Sequence, residues 1–491
     1  MGGMTAAALL TKLGLKVLVL EAAHVPGGSS SSFYRKGYVF ESGATTLIGF
    51  DEHQPLRFLE EELDISLPKK EIQPPMQVHL DGETITRYQD KGEWINEAQQ
   101  KFGNAGGQLK FWKVALKTAN LVWKASGRNP FFPPLNWKDW LHLFTHNNPI
   151  DAFYLPLAFL SVERVMEMFG VHSPKFRRFV DEQLMITAQS GASETPFLFG
   201  AAALTYTNYT NYYVPGGLLE MVRPLQHYIE KNGGQLRTRS KVLHIYRDED
   251  VSGYLIEVDT RKNDTYTVTA SQVVSNIPIW NLAEISSWEM KNYFEAYAHK
   301  YRDAWGAVTW GLAVDDVWDE NLPHHHQLHV AQPPDWMASR SIFVSMSESG
   351  DTERSPQGKR VLNVSTHTKP DFWYNLPSRD AYESKKQAAE HFVLKFLNAH
   401  FPGFATTNVD TIFTGTPLTW ENWVYRKSGR VGGIPQSMHR SLMDWTPAEP
   451  PFDGFYLCGD TVFPGQGIPG VTLSGINVYY RAKRNLKKSL F

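Results

Sequence analysis

Cys458 is the only cysteine among 491 residues. No intrachain disulfide can form, and a cysteine-held zinc or iron–sulfur site lacks its ligands. A lone thiol suits a reducing compartment. Charge of one sign is also lacking: 49 Lys and Arg face 51 Asp and Glu, a formal net charge of −2. That balance excludes a nucleic-acid protein that relies on a basic face. No apolar run reaches the roughly 20 residues of a membrane-spanning helix. G-x-S-x-G, the P-loop and H-E-x-x-H are all absent, which leaves hydrolase and NTPase readings unsupported. There is no internal repeat.

What is present is globular. Hydrophobic residues make up 42% and charged residues 20%, which excludes disorder. At about 150 residues per domain the length predicts about three domains' worth of chain. Such a chain buries a large core without staples. Aromatics reach 13%, with 15 Trp, compatible with an aromatic core, a large apolar cavity or a membrane-surface patch.

Residues 4–13 read as a helix with Ala6, Leu9, Leu10 and Leu13 at helical spacing and Gly14 as its stop. Residues 16–21 follow as a buried strand ending in Glu21, and Pro26, Gly27 and Gly28 break the chain. This is the second half of a βαβ dinucleotide-binding unit. Gly3 takes the place of the third glycine of G-x-G-x-x-G, with Met1 and Gly2 before it. The first strand and the first two glycines are expected upstream of residue 1, through a fragment or a start codon assigned too late. Glu21 stands where a strand-end acid bonds adenosine ribose hydroxyls.

Two further segments extend the pattern. Residues 26–43 combine Gly27 and Gly28, which let a loop pass close to a ligand, with hydroxyls from Ser29 onward that can donate to phosphate or ribityl oxygens. Residues 454–475 read as a strand ending in Gly459-Asp460, a glycine-rich turn, and a helix starting near Pro469 and Gly470. Asp460 can accept a bond from a ribityl hydroxyl. A helix N-terminus here would stabilise negative charge on a reduced flavin.

With these motifs the chain resembles the flavin-dependent carotenoid desaturases and carotenoid isomerases, within the wider amine-oxidase-like superfamily, with retinol saturases as close relatives. Gly27 to Ser30 with Arg35 to Phe40 is similar to the isomerase version; Asp460 to Val471 is similar to a desaturase signature. Ser29 stands where many amine oxidases have Arg. The resemblance implies FAD as cofactor, bound by Gly2, Gly3, Glu21, Gly27, Gly28, Ser29, Val242, Gly459, Asp460, Pro469, Gly470 and Val471. Val242 enters through the resemblance alone, and Asn276 is a further strand-end candidate.

The implied fold class is α/β: a Rossmann-like FAD-binding domain, its first strand and G-x-G missing at the N-terminus. It is interrupted by an α+β substrate domain with a mixed sheet and helices. The expected FAD-binding parts are 1–65, 206–290 and 411–491; the substrate-binding parts are 66–205 and 291–410. The implied activity is a FAD-dependent oxidoreductase acting on a long apolar polyene, as a carotenoid desaturase or cis-trans isomerase. The alternatives are a retinol-saturase-like reductase, an amine-oxidase-like enzyme, or a catalytically silent flavin- or carotenoid-binding protein. The implied partner is a long hydrophobic, carotenoid-like molecule, with no nucleic acid. The implied location is cytoplasmic, peripherally associated with the inner face of a membrane.

The middle of the chain is less specific. Residues 111–160 carry Phe111, Trp112, Trp123, Phe131, Phe132, Trp137, Trp140, Phe144, Phe153 and Tyr154 among lysines, either a membrane-facing entrance or a helical core. Residues 235–246 read as one strand, followed by a hairpin around Tyr254 and Tyr266. His324, His325, His326 and His329 lie in a strand-like tract whose alternating side chains cannot converge on a metal, so no metal site is expected. Phe372, Trp373 and Tyr374 suit packing better than a cavity wall. Glu194 suits a surface or capping role, and Arg426 either closes over the site or is exposed. No catalytic residue is assigned, because a flavin would carry the chemistry.

Overall fold

The structure is a computed structural model that describes residues 1–147, 154, 156–248, 253–260, 264–319, 321–441 and 443–489. Its N-terminal helix, Gly2–Lys12, is buried on nearly every side, which its alanine-rich sequence permits. Gly14 ends the turn at φ 81°, a conformation that costs glycine little. Strand Leu18–Leu20 then pairs in parallel with Gln235–Arg237, Leu18 opposite Gln235. A second parallel pair joins Val273–Ser275 to Phe455–Leu457. The C-terminal helix, Ile468–Ser489, and helix Leu219–Lys231 pack on the N-terminal helix.

The expected single strand over 235–246 is two. Arg239 adopts φ 54°, and the N–H of Ser240 bonds to the carbonyl of Glu21 at 2.8 Å. The chain thereby leaves the parallel pair and enters a three-stranded antiparallel meander, Lys241–Asp248, Gly253–Asp259 and Thr265–Ala270. The hairpin around Tyr254 and Tyr266 lies within it, Tyr254 opposite Ala270.

A seven-stranded mixed sheet forms the other half. Its order is Val409–Gly415, Gly306–Asp315, Lys359–Thr368, Ser341–Met346, His325–His329, Met76–Leu80, Glu83–Arg87. All its pairs are antiparallel except Met76–Leu80 with His325–His329. Period-2 alternation divides it into two faces. Val308, Trp310, Leu312, Ile342, Val344, Leu362 and Val364 form a buried apolar face. Helix Arg379–His400 covers it with Ala389, Val393 and Leu397. Ser378 caps that helix by accepting from the N–H of Ala381 at 3.1 Å, as N-cap serines do. The opposite face carries Thr309, Asn363, Ser365 and His367.

The aromatic segment divides. Phe111 and Trp112 are fully buried; Trp123, Phe131 and Phe132 are half-buried. On helix Trp137–Thr145, Trp137 is 68% and Phe144 74% exposed. Phe153 lies outside the described residues. The histidines pack separately: His325 Nδ1 meets Ser345 Oγ at 2.9 Å, and His326 Nδ1 meets His79 Nε2 at 3.1 Å. Trp373 is buried and donates from Nε1 to Thr368 Oγ1 at 2.9 Å. Glu194 is exposed.

Candidate functional site

The two segments at opposite ends of the chain meet. A Cβ on Gly2 would stand 2.8 Å from both Asn276 Oδ1 and the carbonyl of Val471, and 3.3 Å from the nitrogen of Gly459. Only glycine lets this backbone approach so closely. The N–H of Gly3 donates to Asn276 Oδ1 at 2.9 Å. The N–H of Gly459 donates to Ser474 Oγ at 2.8 Å, and that hydroxyl donates to the carbonyl of Val471 at 2.7 Å. Gly475 fits under Gly2, where a Cβ would lie 2.5 Å from its carbonyl oxygen. The first turns of the helices starting at Gly2 and Ile468 therefore meet beside two strand ends. Helix first turns carry N–H groups without intrahelical acceptors and a partial positive charge.

Glu21 closes its strand beside this junction. Its Oε1 accepts from the N–H of Ala23 at 2.8 Å. Burial raises its pKa above the ordinary carboxylate value, because a desolvated charge is disfavoured. Val242 packs into the apolar cluster that also takes Leu20 and Val273. Gly27 and Gly28 adopt φ 110° and 58°. A Cβ on Gly27 would meet Val222 at 3.0 Å, whereas Gly28 borders open space. Ser29 accepts at its carbonyl from the N–H of Ala44, 2.9 Å. Farther along the chain Gly49 approaches the last helix, since a Cβ there would stand 3.2 Å from Pro469.

Asp460 has a partner that the spacing of motifs did not reveal. Arg426 Nη2 donates to Asp460 Oδ2 at 2.7 Å, with side-chain exposures of 10% and 16%. Arg426 Nε also donates to the carbonyl of Arg430. Of the two readings of Arg426, the exposed one does not hold. Gly433 presses on the same residue, and a Cβ there would collide with the carbonyl oxygen of Asp460. A strand-end polar residue was the only signal for Asn276; nothing local marks Arg426, which lies 34 residues before Asp460.

The glycine-rich turn before the last helix meets aromatic walls. Phe463 contacts Phe132 at 4.7 Å and Trp445 at 5.6 Å between ring centroids. Trp445 lies 6.0 Å from Phe199. Gln466 Nε2 donates to the carbonyl of Ile186 at 3.2 Å.

The profile of flavin-containing amine oxidoreductases matches residues 1–478. The chain belongs to that family. Its cofactor is FAD. Prolycopene isomerase of Daucus carota is 25% identical over 504 residues, covering 99% of this chain and 79% of the carrot protein. The neurosporene-forming phytoene desaturase of Rhodobacter capsulatus is 21% identical, covering 97% of this chain and 91% of its own length. Among solved structures, an oxidoreductase of Methanosarcina mazei superposes with a TM-score of 0.62 at 17% identity, covering 98% of each chain. The fold is thus the α/β FAD-binding architecture of this family. The residues fit the cofactor: glycine backbone packed without room for a Cβ, two helix first turns, and the acids Glu21 and Asp460.

Proposed function

We propose that the protein is a FAD-dependent oxidoreductase of a long apolar polyene, acting as a carotenoid cis-trans isomerase or desaturase. The observation that carries this reading is similarity over 99% of the chain to a prolycopene isomerase. We assign FAD binding to Gly2, Gly3, Glu21, Gly27, Gly28, Ser29, Val242, Gly459, Asp460, Pro469, Gly470 and Val471, with Asn276 fixing the glycine backbone and Arg426 fixing Asp460. The bound flavin supplies hydride acceptance for desaturation, or electron density that eases rotation of a double bond. The chain's own residues bind, orient and dry the site. Glu21 accepts ribose hydroxyl bonds, and Asp460 offers its Oδ1 to the ribityl chain while Oδ2 is held by Arg426. Phe132, Phe463, Trp445 and Phe199 form an apolar wall along which a polyene lies, excluding water.

The test is pigment analysis in cells that accumulate defined carotenoid precursors. An equal-length chromophore with an altered cis band marks the isomerase, and a longer, red-shifted chromophore marks the desaturase. A shortened chromophore moves the reading to the saturase branch. Flavin-loaded protein that changes no precursor overturns the reading.

Access to such a substrate is proposed at a membrane surface on the cytoplasmic side. Among the described residues no helix is long and apolar enough to cross a membrane. Helix Trp137–Thr145 exposes Trp137, Trp140, Leu141 and Phe144. The preceding helix Ala105–Arg128 carries Lys110, Lys113, Lys117, Lys124 and Arg128, and Lys138 lies on helix Trp137–Thr145 itself, while the one acid within 105–147, Asp139, is buried against Arg481 and Arg484. Exposed aromatics in a segment rich in cations and poor in acids suit an anionic lipid interface. Flotation with vesicles containing phosphatidylglycerol is expected to carry the protein upward, and a Trp137→Ser, Phe144→Ser variant is expected to remain below. Wild-type protein that stays below removes the membrane assignment.

A further inference from the structure

The face of the seven-stranded sheet turned toward the cofactor segments carries a row of polar side chains beside an apolar end at Ala313, Val361 and Phe413. Its orientation is fixed at several points. The N–H of Glu41, in the hairpin that follows Gly27 and Gly28, donates to Asn363 Oδ1 at 3.0 Å. Phe40 and Phe413 cover Gly311, where a Cβ would collide with their rings. At the other end Trp305 Nε1 donates to the carbonyl of Gln189 at 2.7 Å. Residues 186–189 are in turn bonded by Gln466 from the glycine-rich turn.

Between these anchors lie Thr309, Ser365 and His367. Thr309 is directly opposite Ser365, and His367 is opposite Ala307, two positions further along the same face. Phe343 continues the row beyond Ser365. All four are part-exposed, whereas their neighbours on the other face are buried. Farther along the face the polar groups satisfy one another: His325 with Ser345, and Gln327 with Ser341 and Gln183. The side chains of Thr309, Ser365 and His367 make no such bond to the described residues. The nearest ring to His367 is Trp305, at 6.4 Å. Burial pushes the His367 pKa down to about 4, so the imidazole is neutral and offers one donor and one acceptor.

A pure hydrocarbon gives nothing to these groups. It would cover two hydroxyls and an imidazole and leave them unpaired, which is costly. We propose that Thr309, Ser365 and His367 form a recess for an oxygen-bearing group of the substrate, so that the substrate is a hydroxylated or carbonyl-bearing polyene. The inference rests on the polyene reading above and narrows its substrate class. Lining a recess with unpaired hydrogen-bonding groups is how a site rejects an analogue that lacks the matching oxygen.

The experiment titrates the FAD-loaded protein with lycopene, a monohydroxylated lycopene and a lycopene terminal aldehyde in detergent micelles, following the polyene absorption shift. The wild type is expected to bind an oxygenated polyene about tenfold more tightly than lycopene, as one to two additional hydrogen bonds allow. Ser365→Ala and His367→Phe are expected to bring that ratio to about one without weakening lycopene binding, and His367→Asn to retain part of the preference. Thr309→Val, which conserves shape, reads the same ratio if His367→Phe does not fold. Equal wild-type binding of all three polyenes overturns the recess and leaves the polyene reading intact. An unchanged ratio in the Ser365, His367 and Thr309 variants also overturns the recess. Binding of none of the polyenes overturns both readings.

Discussion

Acidification from about pH 6.5 to about pH 5 is expected to remove about 6 kcal/mol of folding stability. Burial holds His325 and His326 down to about 3, and His324 and His367 down to about 4. The ordinary value in the unfolded chain is 6.5. Below that pH the unfolded chain takes up protons that the fold refuses, so stability falls as pH falls and the loss ends only near the folded values. Each histidine contributes about 1.4 kcal/mol per pH unit once well below 6.5. Native domains have about 5–15 kcal/mol in reserve, so unfolding near pH 5 is expected. The carboxyls act in both directions, and those raised by burial, Glu182 and Glu21, offset part of the loss as pH falls. Lys359 lowers Asp315 and Asp410, and burial raises Glu182, all from ordinary carboxylate values. Urea unfolding followed by tryptophan fluorescence at stepped pH measures the effect. A midpoint that is flat from about pH 6.5 to about pH 5 would show that these imidazoles are hydrated.

The second large effect is expected at the pair Arg426–Asp460. Removing one partner leaves a charge of the opposite sign in a site where both side chains are nearly buried. Such truncations cost about 3–5 kcal/mol. Asp460→Ala is expected to lose FAD as well, because the acceptor proposed for the ribityl chain disappears. Arg426→Ala is expected to lose FAD through misplacement of Asp460, whose backbone Gly433 already confines. The double variant is expected to be destabilised by less than the sum of the singles, since no charge is left behind. Unfolding free energies of the four proteins give the coupling, and flavin absorbance per protein gives occupancy. Additive losses would mean that the two side chains act independently. Full occupancy in Asp460→Ala would remove that carboxylate from the cofactor site.

Local pattern carried much of this architecture. The alanine-rich run after Gly3, the apolar strand to Glu21 and the glycine turn before Pro469 each announce their element through spacing, and each lies where expected. The break at Arg239 had no such signal. Residues 235–246 alternate well enough for one strand, and only the bond from Ser240 to the Glu21 carbonyl turns the chain. The aromatic segment was ambiguous for a related reason. Residue type alone does not separate Phe111 from Phe144, both phenylalanines in lysine-bearing helices. Phe111 is buried by neighbouring helices, while Phe144, on a helix tied down through Asp139, faces outward.

Family, cofactor class and the glycines at which distant backbone segments meet were all legible in the residues before any packing was known. They depend on backbone conformations and close contacts that few residue types tolerate, so they leave a local mark. Packing of distant segments was needed to set Arg426 against Asp460 and to bond Asn276 to Gly3 across 273 positions. Strand pairing was needed to put Thr309, Ser365 and His367 on one polar face. A lone serine, histidine or arginine in a strand or loop carries no trace of its partner until the register of the sheet and the burial around it are set.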